Sequence, residues 1–259
     1  FLGNPIQMKI IKKISKKYNL KVIEDAAEAH GAEIEGKKVG SFGDSGCFSF
    51  YATKNITTGE GGMLITQNKK IASRIKIMRL HGMTKDAWKR HLPASINLSS
   101  KFEHYDVSEL GLKYNMIDIN SSIGIEQLKK IEKNWKKRQK NFNFYKKRLK
   151  DLPLLFQEEK PYPSKHAYHL FVIILDKKKT KKNRDDLVKY LKKHKIGAGI
   201  NYRCVTDMSY YRKNLGWSRK TSKIGKYVGD NILSLPLDPK LTKKDIIYIS
   251  QIVKSFFEN

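Results

Sequence analysis

The sequence predicts an α/β protein, and three observations predict it. Short apolar runs alternate with stretches of helical periodicity, charged residues close one of those runs, and a proline-marked break separates a smaller α+β segment. Residues 6–18 place Ile6, Ile10, Ile11 and Ile14 at helical spacing among lysines, and Asn19 ends the pattern before the strand-like Lys21-Val22-Ile23. That run ends on Glu24-Asp25, and the carboxyl end of a buried parallel strand is where α/β sheets place ligand chemistry. Cys47 to Tyr51 reads as an apolar and aromatic strand, followed at once by Ala52-Thr53-Lys54-Asn55 and a loop from Thr57 to Gly62. Met63 to Thr66 is a further strand and Ile71 to Met78 a helix, whereas the irregular pattern of 82–111 predicts a long functional loop or a mobile segment rather than core.

Apolar residues then recur from Ile117 to Leu149, predicting one long helical stretch with a bend or a single break. Pro153, Pro161 and Pro163 mark a boundary. Beyond it come a strand from His169 to Leu175, a helix from Arg184 to His194, a strand near Ile200, a loop through Tyr211, a helix near Ile224, then a short strand and a closing helix from Asp245. The expected domains are therefore 1–150, carrying the long connecting helix, and 151–259.

With 259 residues, 39% hydrophobic and 30% charged, the chain can bury a sizeable core and falls outside the disordered and collagen-like ranges. Lysine and arginine total 53 against 25 acidic residues, a net charge of +28. The lysines come as pairs and triples along the whole chain, without a basic arm or a nucleic-acid module, so no nucleic-acid partner is expected. Cys47 and Cys204 lack the spacing of a disulfide framework or a zinc site, which suits a reducing, cytoplasmic setting. No apolar run approaches the roughly 20 residues of a membrane span, so no membrane association is expected. The opening Phe1-Leu2-Gly3-Asn4-Pro5 is turn-like and lacks a starting Met, so a further N-terminal part is expected.

Taken alone, the candidate residues have plain readings. Lys54 would be one solvated lysine among many, Asp25 a helix cap or turn residue, Ser49 a partner for a strand backbone group, and Asn115 a turn or helix-start residue. Gly59, Gly61 and Gly62 permit a tight turn more readily than they cradle an anion, and His30 and His81 read as structural histidines.

Their grouping changes the reading. Glu24-Asp25-Ala26-Ala27-Glu28-Ala29-His30-Gly31, Gly40-Ser41-Phe42-Gly43-Asp44, Phe48-Ser49-Phe50-Tyr51-Ala52-Thr53-Lys54-Asn55 with Thr57 to Gly62, then Leu80-His81-Gly82, Lys113-Tyr114-Asn115-Met116 and Ser234-Leu235-Pro236-Leu237 closely resemble the DegT/DnrJ/EryC1/StrS family of pyridoxal 5'-phosphate (PLP)-dependent sugar aminotransferases. The resemblance implies a fold of the aspartate-aminotransferase type (fold type I), with 1–150 a partial large PLP domain and the chain as a whole the last two thirds of such an enzyme. It implies Lys54 as the Schiff-base lysine and proton shuttle, Asp25 at the pyridine nitrogen, Ser49 on the phosphate, Asn115 on the phosphate of a neighbouring subunit, and Glu28 beside the ring and its phenolic oxygen. PLP needs such a set: an amine to hold it, a carboxylate to keep its nitrogen protonated, and donors for its phosphate. The implied reaction moves an amino group, from L-glutamate, to a 4-keto sugar carried on a nucleotide, for surface polysaccharide or lipopolysaccharide, by a homodimer with shared sites. A sugar dehydratase of this family would carry histidine in place of Lys54; a catalytically silent relative of the same fold is the alternative. Thr206 and Met208 stand where many relatives carry histidine, which puts substrate contacts from that loop in doubt.

Overall fold

The computed structural model describes residues 2–84, 106–157, 162–218 and 220–258. The middle of the irregular 82–111 segment, residues 85–105, and Pro161 lie outside the described residues. The chain divides into two compact units, one of Ile6–His30 with Gly36–Lys129, the other of Phe1–Pro5, Gly31–Glu35 and Lys130–Asn259.

In the first unit, α1 (Met8–Tyr18) ends where Asn19 takes the left-handed conformation at φ 50°, its N–H bonding the carbonyl of Ser15. The chain then enters β1 (Ile23–Asp25), which lies parallel to β2 (Ser45–Ser49); β2 pairs on its other side, antiparallel, with β3 (Gly62–Ile65). Among the described residues β1 pairs on one side only, with Ile23 and Asp25 exposed and Glu24 turned inward. β2 starts and ends two residues earlier than its aromatic run predicts. The cause is a close crossing: a Cβ on Gly46 would lie 2.2 Å from the carbonyl oxygen of Gly40, so this strand position demands glycine, which reads from sequence as loop. Helix α2 (Lys69–Met78) starts on Asn68, whose side chain accepts from the N–H groups of Lys70 and Ile71.

The stretch from 117 to 149 is broken once, at Lys130, into α3 (Asp118–Lys129) and α4 (Ile131–Leu149). α3 buries none of its residues, whereas α4 buries Phe142, Tyr145 and Leu149 in the core of the second unit. That core forms around an antiparallel sheet of β4 (Leu154–Phe156), β5 (Phe171–Leu175) and β6 (Ile232–Leu235), with β5 in the middle. A central strand covered on both faces needs a continuous apolar run, and Phe171-Val172-Ile173-Ile174-Leu175 is one. Leu187 and Leu191 of α5 (Arg184–Lys193) and Ile246 and Val253 of α8 (Lys243–Glu258) complete the packing.

Between them the 3-10 turn Val205–Asp207, α6 (Ser209–Leu215) and α7 (Lys223–Asn231) fill the segment expected to hold a loop and one helix. The strand expected near Ile200 is a single antiparallel bridge from Gly199 to Ser234. No helix among the described residues is long and apolar enough to cross a membrane.

Candidate active site

Two turns at the carboxyl ends of adjacent parallel strands build the site in the first unit. β1 delivers Asp25, and the chain turns at once: Ala26 N–H bonds Cys47 O at 2.9 Å, Ala27 N–H bonds Asp25 Oδ1 at 3.1 Å, and Ala29 N–H bonds Ala26 O at 2.9 Å. β2 delivers Ser49, whose Oγ accepts from Tyr51 N–H at 3.2 Å, and Lys54 N–H closes the following turn on Tyr51 O at 3.0 Å. Because Asp25 is in register with Cys47, the two turns leave the sheet on the same side, as parallel strands dictate.

The side chains that meet are Lys54 and Glu28, with Nζ 3.3 Å from Oε1 and side chains only 13% and 14% exposed. Beside them stands His30, buried at 4% exposure and set against the rings of Phe48 and Phe50 at centroid distances of 5.3 and 5.8 Å. Burial, reinforced by the charge of Lys54 and opposed by the Ser49 backbone, pushes the His30 pKa down to about 4, so the imidazole is neutral at physiological pH. Apart from a loose approach to the Ser49 backbone, its ring nitrogens are without a well-formed hydrogen bond. The motif from Glu24 to Gly31 contains His30, and nothing in the sequence sets it apart from a structural histidine.

Asp25 is exposed at the strand end, its carboxylate engaged by the turn it caps. Its neighbour Glu24 is the buried carboxylate, accepting from the N–H groups of Gly40 at 2.7 Å, Phe42 at 2.5 Å and Gly43 at 2.7 Å. Glu24 thus ties the 40–43 loop under the sheet and is the structural member of the Glu-Asp pair, a division invisible in the sequence.

The 57–62 loop is a closed turn. Thr58 N–H bonds Phe50 O at 2.9 Å, Phe50 N–H bonds Gly61 O at 2.8 Å, and Asn120 Nδ2 of α3 reaches Glu60 O at 3.2 Å. Gly61 sits at φ 149°, and a Cβ there would come within 2.7 Å of Met116 Cε. Met116 brings the neighbouring Asn115 to this loop; Asn115 is half-buried, with Oδ1 buried and without a partner. In the second unit Thr206 is buried against Cys204 Sγ at 3.0 Å and Met208 is partly exposed at the start of α6.

The profile of the DegT/DnrJ/EryC1/StrS aminotransferase family matches residues 1–254. The chain belongs to this family. Relatives include the uncharacterized protein MJ1066 of Methanocaldococcus jannaschii, 42% identical over 98% of this chain and 64% of that protein. The spore coat polysaccharide biosynthesis protein SpsC of Bacillus subtilis is 33% identical over the same shares, 98% and 64%. Among solved structures, Helicobacter pylori PseC, an aminotransferase involved in the biosynthesis of pseudoaminic acid, superposes with a TM-score of 0.87 at 26% identity, covering 100% of this chain and 65% of PseC. The fold is that of the PLP-dependent sugar aminotransferases, fold type I, and the chain spans about 64% of the length of the curated relatives it matches.

The family's cofactor is PLP, and the residues present suit it. A half-buried amine, a strand-end hydroxyl at Ser49, and buried polar atoms without well-formed hydrogen bonds at His30 and Asn115 are what a polar, phosphate-bearing ring would engage.

Proposed function

We propose that this chain forms the catalytic portion of a PLP-dependent aminotransferase acting on nucleotide-linked sugars. The observation that carries the reading is the half-buried Lys54 amine on the turn after β2, beside the turn that follows Asp25, in a chain matched to the family along nearly all its length. When bound, PLP supplies a carbonyl that takes up the amino group and a ring that withdraws electrons from the reacting carbon. Lys54 Nζ holds the cofactor and moves a proton to and from that carbon, and Asp25 keeps the ring nitrogen protonated. Ser49 and, from a second copy, Asn115 hold the phosphate, and Glu28 lies toward the ring.

The amino donor is L-glutamate and the acceptor a 4-keto sugar on UDP, GDP or dTDP, feeding surface polysaccharide or lipopolysaccharide in the cytoplasm. The names of SpsC and PseC support a polysaccharide or unusual-sugar product. We place Asn115 at the phosphate of a second copy, so the working unit is a homodimer. Ile119, Ile123, Ile125 and Leu128 give α3 an exposed apolar surface, and this supports an interface on the first unit. In this reading the cofactor lies on the unit of Ile6–His30 with Gly36–Lys129.

Titrating the protein with PLP should produce an absorbance band that borohydride reduction fixes onto Lys54 and that Lys54→Ala abolishes. Turnover of a panel of keto-sugar nucleotides with glutamate then identifies the acceptor. The alternative reading is a catalytically silent relative of the same fold, and a protein that takes up no PLP would support it.

A further inference from the structure

We infer that Glu28 is a positioning residue for Lys54, holding the amine in a withdrawn ion pair and restraining its nucleophilicity until the cofactor is presented. The inference deepens the proposed function, which identifies that cofactor, but it stands on the cofactor-free protein. Both partners sit on turns fixed by backbone hydrogen bonds, Ala29 N–H to Ala26 O and Lys54 N–H to Tyr51 O, and from these turns their side chains meet at 3.3 Å.

The pair belongs with the more withdrawn of the described ion pairs, such as Lys226 with Asp207 at 19% and 7% exposure and Lys165 with Glu33 at 18% and 23%. The ion pair of Lys21 with Asp44 leaves its side chains 83% and 37% exposed, and that of Lys129 with Glu126 leaves 64% and 59%, against 13% and 14% here. Solvent and salt screen the Lys21 and Lys129 pairs and much less the Lys54 pair. A withdrawn ion pair is a poor device for stability, because desolvation offsets the attraction and an apolar pair of similar volume would serve as well. Its use lies in what it does to the amine.

An amine attacks through its lone pair, and a reagent must part Nζ from the carboxylate before that lone pair is free to act. Among the described residues, Glu28 and His30 are the titratable side chains recorded against Lys54, both on the turn after β1. The His30 imidazole is neutral and brings no competing charge.

The test is limited acetylation of the cofactor-free protein with acetic anhydride at neutral pH, read by peptide mass spectrometry as the ratio of Lys54 to the exposed Lys21. Glu28→Gln should raise that ratio several-fold, because it removes the ion pair that engages Nζ. Glu28→Asp, which draws the carboxylate back by one methylene, should raise it less, and it decides the matter if the glutamine variant does not fold. A ratio equal to wild type in whichever variant folds overturns the inference. Absence of PLP uptake by the wild type would instead remove the aminotransferase reading and leave the acetylation result standing.

Discussion

A buried carboxylate is tolerated when its oxygens are satisfied, and Glu24 has three backbone N–H donors within 2.5–2.7 Å. Glu24→Ala leaves all three unpaired beneath the sheet, and we expect a loss of about 2–4 kcal/mol, seen as a lower urea midpoint; a loss under about 1 kcal/mol would contradict this role. His30 makes stability depend on pH. Between the ordinary value of 6.5 and about 4 the unfolded chain takes up a proton that the folded chain refuses, so stability is full above this window and falls as pH drops through it. The loss is on the order of 3 kcal/mol at most, and His30→Leu should remove that acid sensitivity; equal acid losses in wild type and variant would refute it. At this scale the sequence shows which residues belong together, because the motif runs from Asp25 to Lys54 in order. It does not show which of two adjacent carboxylates faces inward, since Glu24 and Asp25 differ only in the phase of strand alternation.

Caps decide where several elements begin, and side-chain chemistry makes them legible. Asn183 accepts from Asp186 N–H at 2.8 Å at the start of α5, just as Asn68 does for α2. Asn183→Ala should cost about 1 kcal/mol, measurable as a shift of the unfolding midpoint, whereas Asn183→Ser should keep most of it; equal losses in the two variants would mean that the cap bond is not the cause. Elements without such a signal escape a reading of the sequence. Helix α6 begins after Met208, which offers no capping oxygen, and spans only seven residues, too short for periodicity to show. Its one marker is Gly216, left-handed at φ 63° and closing the helix on Tyr211 O. The break at Lys130 is equally silent, because Lys130 is a good helix former, and only the packing of Phe142, Tyr145 and Leu149 in the second core separates α4 from α3.

Charge acts on the molecule as a whole. An excess of 28 positive charges in 259 residues repels itself in the compact state more than in the expanded chain, so the folded form is weakened by its own field. The repulsion runs between solvated lysines many ångströms apart, and salt screens interactions beyond a Debye length of about 8–10 Å at physiological strength. Raising sodium chloride from about 10 mM, where the Debye length is about 30 Å, to about 150 mM should therefore raise the thermal midpoint. A thermal midpoint that stays flat or falls with added salt would show that local ion pairs, such as Lys165 with Glu132 and Lys226 with Asp207, outweigh the net charge in this fold.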